Sequence, residues 1–174
     1  DKKPLPRFWY LPRGERIVLL MTGDDHSSTS GTLNFFNYYR TQGLPECSVE
    51  DWECIRSTSY IYIDSGLTPA EAFQAEQEGF EVSIHPFGTA CTNWDPATAA
   101  TAISNEISAW QAKYALNRSP ASNRNHCVTW TDFSTMAEAS LANGIRLDTN
   151  YYYWPGAWLL DRPGYFNGSG LPMR

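Results

Sequence analysis

The chain has 174 residues, of which 42% are hydrophobic and 18% are charged, so it can form one domain with a hydrophobic core and is not intrinsically disordered. Its formal net charge of −6 argues against a nucleic-acid partner, because such a partner requires a basic surface. No apolar run approaches the roughly 18 residues that cross a membrane, so we expect no membrane insertion. No signal peptide is visible, and Asp1 is consistent with a processing boundary.

Hydrophobic periodicity predicts five strands that alternate with helices along the chain. The first is predicted from an uninterrupted apolar run between two turn-forming glycines, which is typical of a strand buried on both faces. The others are predicted from short apolar or alternating segments bounded by turn residues. The predicted strands are residues 17–21, 59–64, 80–85, 125–130 and 145–148.

Capping residues and apolar stripes predict the helices. Thr68 and Glu71 form a capping box, and Thr135 and Glu138 predict a second one. The longest predicted helix has an apolar face with the spacing i, i+4, i+7 and i+11, formed by Ile103, Ile107, Trp110 and Tyr114. The predicted helices are residues 32–41, 69–78 and 97–116, and a short helix that ends at residues 143–144.

Alternating strands and helices predict right-handed βαβ units and a parallel sheet. In three of the strands, apolar residues occupy one face and polar residues the other. An open, doubly wound sheet would not polarise its strands in this way, whereas a (β/α) barrel would, because polar faces can line its interior. The polar positions are Tyr62, Asp64, Ser83, His85, Arg146 and Asp148.

Three titratable residues, Asp24, Asp25 and His26, directly follow the first predicted strand. Core packing does not require charged groups there, and α/β folds place their chemistry at the carboxyl ends of strands. A hydrophilic loop with a helix-capping aspartate would give the same residues without any chemistry. We favour a functional site.

Two of the four cysteines, Cys47 and Cys54, lie seven residues apart in a polar loop. A zinc knuckle would require closer spacing and a second ligand pair nearby. We therefore predict a disulfide that closes the loop, and an oxidising compartment. A secreted, periplasmic or cell-surface protein is expected.

Four short motifs occur at the ends of predicted strands, at residues 22–25, 79–85, 124–126 and 144–148. Their order resembles that of the polysaccharide deacetylase (NodB-homology, carbohydrate esterase family 4) proteins, in which the first motif is usually Thr-Phe-Asp-Asp-Gly. The match spans about residues 16–150. The resemblance implies a distorted or incomplete (β/α) barrel that uses a divalent metal to remove acetyl groups from sugars.

The resemblance also implies roles for individual residues. Asp24 would be the general base, Asp25 and His85 would be metal ligands, and Arg124 would orient the base. Asp148 matches the aspartate of the fourth motif and would be a third catalytic residue, although it could instead be a buried ion-pair partner of Arg124 or Arg146. The metal would lower the pKa of bound water towards ~7, and Asp24 would take its proton as the water attacks the acetyl carbonyl.

The third metal ligand is left open by the sequence. His126 is the first choice, because its strand is expected to neighbour that of His85, and His26 is the second. A residue adjacent to a ligand in a strand-end turn often points away from it, which disfavours His26. Mixed oxygen and nitrogen ligands favour Zn²⁺, with Ni²⁺ or Co²⁺ as alternatives.

Two functions remain open at this point. The aspartate pair favours a metal-dependent hydrolase that acts on an acetylated glycan at amide or ester bonds. The absence of a second histidine soon after His85, and of a late general-acid histidine, favours a carbohydrate-binding or structural domain without catalysis. Tyr151 and Trp154 are the candidate substrate-binding residues. We expect one domain over residues 1–174 that lacks the last strands of the barrel.

Overall fold

The computed structural model describes residues 19–26, 29, 31–88, 91, 94–114, 119–128, 131 and 134–150. Within these ranges, five short strands alternate with four α-helices, and a 3-10 turn at His126–Val128 precedes the last helix. The strands are β1 Thr22–Asp25, β2 Thr58–Ile61, β3 Glu81–Ile84, β4 Ser122–Asn123 and β5 Leu147–Asp148. The helices are α1 Gly31–Gln42, α2 Pro69–Gln77, α3 Pro96–Tyr114 and α4 Thr135–Ala142.

The sheet is parallel throughout, and its strands are ordered β1-β2-β3-β4-β5. Each connection moves one strand in the same direction, whereas a doubly wound sheet would reverse direction at its middle. The result is a curled half-barrel with helices, which fits an incomplete α/β barrel. All five carboxyl strand ends therefore lie at one edge.

The long helix α3 supplies much of the hydrophobic core, as its stripe predicts. Ile103, Ile107, Trp110 and Tyr114 are all at most 3% exposed. They belong to the same core as Val82 and Ile84 of β3, Phe36 of α1 and Met136 of α4. This packing fixes β3 in the middle of the sheet and so fixes the position of His85 just beyond it.

The predicted start of α2 is confirmed. The Glu71 N–H donates to Thr68 Oγ1 at 3.3 Å, and the Thr68 N–H donates to Glu71 Oε2 at 2.8 Å. The capping box predicted at the start of α4 is wrong, because Thr135 is already inside the helix and Ser134 precedes it without a side-chain capping bond. That helix ends as predicted before Gly144, which has a φ of 88°.

The first strand is displaced from its predicted position. Its hydrogen-bonded register begins at Thr22, which pairs with Thr58, and Leu19 and Leu20 are 79% and 64% exposed. The apolar run thus does not form a buried strand at residues 19–21, and residues 17–18 lie outside the described ranges. Asp24 and Asp25 consequently lie within β1, not after it.

The fourth strand is also shorter and earlier than predicted. Of the described residues in this part of the chain, only Ser122–Asn123 pair with the neighbouring strands, and residues 126–128 form the 3-10 turn. Residues 129–130 of the predicted strand lie outside the described ranges. Cys127 has a φ of 54°, a left-handed conformation that interrupts an extended chain. His126 therefore lies on a turn beyond β4. The second, third and fifth strands are present but shorter than predicted.

The predicted Cys47–Cys54 disulfide is present, with an S–S distance of 2.03 Å, and a second disulfide joins Cys91 to Cys127. Disulfides are typical of proteins in oxidising compartments. Within the ranges described above, no helix is both long and apolar enough to cross a membrane.

Replacing Cys47 and Cys54 together by serine should lower the free energy of unfolding by about 2–3 kcal/mol, because the open loop regains conformational entropy in the unfolded chain. Urea unfolding of the variant and of the unreduced wild type would measure the difference. Equal unfolding midpoints would contradict the prediction.

Candidate metal centre

The parallel register aligns side chains of three neighbouring strands in one row. Asp24 of β1 pairs with Tyr60 of β2, which pairs with Ser83 of β3. Successive strand residues point to opposite faces, so the residues two positions later share the face of this row and lie beyond the strand ends. These residues are His26, Tyr62 and His85.

Three imidazoles meet at this edge of the sheet, those of His26, His85 and His126, here called the imidazole cluster. One nitrogen of each lies within 4.8 Å of the others. The His26 ring centroid is 4.8 Å from that of His85 and 5.0 Å from that of His126. From the sequence, His126 and His26 were alternative choices for the third metal ligand. In the structure, both lie next to His85.

His85 is oriented by the backbone of the neighbouring strand connection. Its Nδ1 lies 2.5 Å from the carbonyl oxygen of Arg124, which can only accept, so Nδ1 carries the proton. Its Nε2 faces His26 Nε2 at 2.9 Å. Nε2 of neutral His85 therefore holds a lone pair that points into the imidazole cluster.

Burial keeps His85 neutral. The side chain is 2% exposed, and loss of solvation lowers the pKa of His85 to about 3, although the bond to the Arg124 carbonyl opposes this shift. Loss of solvation also lowers the pKa of His126, assisted by the nearby charge of His26. Neutral imidazoles are the form that binds a metal.

Tyr62 supports His126 and was not assigned a role from the sequence. Its hydroxyl contacts His126 Nδ1, and its ring stacks on that of His26 at 4.9 Å. Burial raises the pKa of Tyr62 to about 12, so its hydroxyl stays protonated. When Nδ1 donates to this hydroxyl, the lone pair of the neutral His126 ring lies on Nε2, the nitrogen that would bind a metal. The polar alternation of residues 60–64 was the signal that could have identified Tyr62.

Asp25 does not join the imidazole cluster, although the sequence predicted it as a ligand. Its side chain is buried, and Oδ2 accepts bonds from the Thr32 N–H and the Thr32 hydroxyl, both at 2.7 Å. Thr32 lies in the first turn of α1, where unpaired N–H groups favour a carboxylate. The geometry gives Asp25 a contact with the start of this helix.

Asp24 lies beside the cluster and forms an ion pair with Arg124, and the roles of base and orienting residue stay a prediction. Arg124 Nη1 is 3.3 Å from Asp24 Oδ1, and Nη2 donates to the Thr22 hydroxyl at 2.7 Å. Burial raises the pKa of Asp24, while the Arg124 guanidinium and the charges of His26 and His126 oppose the shift. Asp24 is thus a carboxylate with increased basicity that is held in one orientation.

Asp148 lies on β5, paired in register with Asn123. Its Oδ1 accepts the Asn150 N–H at 2.8 Å, and its buried Oδ2 has no hydrogen-bond partner. Burial raises the pKa of Asp148, and the charge of Arg124 lowers it only as a smaller effect. Asp148 is therefore close enough to Arg124 for their charges to interact. Its catalytic role stays a prediction.

An aromatic side chain lies at the exposed side of the cluster. Phe87 is 46% exposed, and its ring stacks on that of His126 with a centroid distance of 5.2 Å. Tyr151 and Trp154, which the sequence predicted to bind the substrate, lie outside the described residues. Phe87 had no signal in the sequence beyond its position two residues after His85.

The cluster has the donor set of a divalent metal site. Three histidines with room for a further ligand are typical of catalytic zinc centres, and imidazole also suits Co²⁺ and Ni²⁺. The close contact of His26 Nε2 with the unprotonated Nε2 of His85 requires a proton between them, and a cation can replace that proton. The residues therefore fit a metal ion.

No family model matches the chain, and no curated protein matches it either. Among solved structures, a family 4 acetyl xylan esterase from Clostridium thermocellum, in complex with a cobalt ion, aligns with a TM-score of 0.46 and 14% sequence identity. The alignment covers 69% of this chain and 53% of that one. The present chain thus spans about half the length of the esterase structure.

Proposed function

We propose that this protein is a metal-dependent hydrolase that removes acetyl groups from a carbohydrate. The observation that supports this most directly is the convergence of three imidazoles beside an oriented carboxylate, Asp24, at the carboxyl edge of a parallel sheet. The motif resemblance to polysaccharide deacetylases supplies the acetylated glycan as the substrate class.

His26, His85 and His126 would hold the metal ion, and a set of three nitrogen donors favours Zn²⁺. A divalent ion at this position supplies Lewis-acid polarisation of the acyl carbonyl and lowers the pKa of water. The Arg124 carbonyl and the Tyr62 hydroxyl fix the orientation of two of the rings. Such partners of ligating histidines strengthen metal binding.

Asp24 would act as the general base. A base works best when its pKa lies near the working pH, and burial raises the pKa of Asp24 towards that range. The Arg124 guanidinium opposes complete neutralisation and holds Oδ1 in place. Asp24 would then accept the proton of the water that attacks the acetyl carbonyl.

Asp24 would also return that proton to the leaving group. The chain has three histidines, and all three belong to the imidazole cluster, so each is committed if it binds the metal. A carboxyl group with a raised pKa retains a proton long enough to donate it to the departing oxygen or nitrogen. One residue would thus serve as base and then as acid.

The exposed ring of Phe87 would provide an apolar platform for a sugar beside His126. Tyr151 and Trp154 are proposed to extend it. The two disulfides favour an oxidising location, so we propose a secreted, periplasmic or cell-surface protein.

A carbohydrate-binding domain without catalysis is the second candidate. It is favoured by the absence of a histidine beyond the three in the cluster, because related chemistry commonly uses a separate histidine as acid. In that case the metal would have a structural role or be absent.

Two measurements on the purified protein test the proposal. Zinc titration after removal of metal should show one tight site, and acetate should be released from acetylated xylan or from an N-acetylated chitooligosaccharide. Metal binding without acetate release from either substrate would favour the binding domain. A protein that binds no metal at micromolar zinc would refute the hydrolase proposal.

A further inference from the structure

A second group of potential ligands adjoins the imidazole cluster. It consists of Cys91, His126 and Cys127, here called the Cys/His group, whose ligand atoms lie within 4.8 Å of one another. Cys91 Sγ is 3.8 Å from His126 Nε2. The two cysteines form a disulfide, so neither sulfur is a thiolate in this state.

Reduction would convert these three residues into a set of strong zinc ligands. Two thiolates and an imidazole are ligands that Zn²⁺ prefers, whereas disulfide sulfurs bind it poorly. With Zn–S near 2.3 Å and Zn–N near 2.0 Å, a tetrahedral site separates sulfur from nitrogen by roughly 3.5 Å. The 3.8 Å between Cys91 Sγ and His126 Nε2 is already close to that value.

His126 belongs to both groups, since its imidazole contributes to the imidazole cluster and to the Cys/His group. One nitrogen cannot bind two ions at once. An ion held by Cys91 and Cys127 through His126 would therefore withdraw this histidine from His26 and His85. The two sites are mutually exclusive wherever both use His126 Nε2.

We propose that Cys91 and Cys127 form a redox-dependent second metal site that shares His126 with the imidazole cluster. In the disulfide state, metal binds to the three imidazoles, and this half of the switch rests on the proposed function, whereas the second site does not. In the dithiol state, it binds to two sulfurs and His126. Cys91 is exposed, so a reductant can reach the disulfide from solvent.

The switch is a two-electron exchange with a dithiol reductant. The two thiols of the reductant give up two electrons and two protons and become a disulfide. The bond between Cys91 and Cys127 breaks and yields two thiols, which lose their protons when they bind the ion. Reoxidation reverses each step and releases the sulfurs from the metal.

Cobalt spectroscopy on a double variant tests the site. The chain has four cysteines, so in the variant Cys47→Ser with Cys54→Ser any thiolate ligand must come from Cys91 or Cys127. Co²⁺ added to this variant after reduction by a phosphine should produce thiolate-to-cobalt charge-transfer absorption, which the unreduced protein lacks. The phosphine gives two electrons to the disulfide and takes an oxygen atom from water to become its oxide, while the two protons of that water go to the thiols. It adds no thiolate of its own to the solution.

The matched double variant, Cys91→Ser with Cys127→Ser, should show no such absorption while its remaining two thiols are free. Wild-type protein provides a test without substitutions. After reduction, Zn²⁺ should slow alkylation of Cys91 and Cys127 by about tenfold or more and leave Cys47 and Cys54 unaffected, because a metal-bound thiolate is a poor nucleophile. Mass spectrometry of the peptides distinguishes the two pairs.

Free thiols at Cys91 and Cys127 without charge-transfer absorption, together with unchanged alkylation, would overturn the proposal. Loss of the fold on reduction, seen by circular dichroism, would also overturn it, because the switch requires a folded reduced protein. An unreduced protein that binds no Co²⁺ while the reduced form shows the absorption would refute the hydrolase proposal and support the second site.

Discussion

Replacing His85 with asparagine should abolish stoichiometric metal binding while the protein stays folded. The asparagine amide can still donate to the Arg124 carbonyl, as Nδ1 of His85 does, but it lacks the nitrogen that faces His26. Removing a hydrogen-bond partner of a metal ligand typically weakens metal binding by roughly 10–100-fold. Removing the ligand itself should weaken zinc binding by more than that. Calorimetric zinc titration of both proteins measures it.

Asparagine is a sharper choice than alanine because His85 is 2% exposed and fully surrounded. Alanine would leave a cavity and an unpaired carbonyl, and would confuse loss of metal with loss of stability. Zinc affinity equal to that of the wild type in the asparagine variant would exclude His85 as a ligand.

Asp25→Asn is the matched control. It decides whether Asp25 is a metal ligand, as the sequence predicts, or only caps α1. Its amide oxygen can still accept a bond from Thr32, but the charge at the start of α1 is lost. If Asp25 only caps this helix, zinc affinity should be unchanged and stability should fall by about 0.5–2 kcal/mol. A loss of zinc affinity comparable to that of the His85 variant would instead establish Asp25 as a ligand.

The strand order could be predicted from the sequence because it depends on alternation that covers most of the chain. Repeated strand–helix units predict a parallel sheet, and polarised strand faces predict a curled one. The buried face of α3 was also predicted correctly, because four large apolar residues at helical spacing lie on one face and are buried together when that face packs against the core. These features are local or repeated along the chain.

Whether His26 joins His85 and His126 depends on the position of β1, which was predicted wrongly from the sequence. A strand at residues 17–21 leaves Asp24, Asp25 and His26 in a loop of undefined orientation. A strand at Thr22–Asp25 instead places Asp24 and His26 on one face and Asp25 on the other, towards α1. Apolarity favoured the first position, whereas the hydrogen-bonded register with β2 begins at Thr22.

The contacts of His126 could not be read from the sequence for a different reason. They depend on a left-handed residue, Cys127, and on a disulfide partner 36 residues away. Non-glycine residues rarely adopt positive φ, so no local pattern predicts such a turn. The approach of Tyr62 to His126, 64 residues apart, likewise arises only once the sheet has formed.

Asp24→Asn should lower the rate of acetyl hydrolysis by about 10²–10⁴-fold and leave metal affinity nearly unchanged. The amide can still contact Arg124, but it cannot accept a proton from water. Because Asp24 must be ionised to act as base, kcat/KM of the wild type should rise with pH through the pKa of Asp24. Burial raises that pKa above its ordinary value of 3.8, so the acidic limb should lie above pH 3.8.

Arg124→Met tests the role of Asp24 by changing the pKa of its carboxylate without replacing it. The Arg124 guanidinium lowers the pKa of Asp24, so its removal should raise that pKa further and move the acidic limb to higher pH. Arg146→Met removes an equal charge from an exposed side chain next to β5 and should leave the limb in place. Profiles of kcat/KM against pH for the wild type and the two arginine variants test this prediction, since a shift of equal size in both variants would reflect net charge alone.

An Asp24→Asn protein that keeps full activity would exclude Asp24 as the general base, whichever residues bind the metal.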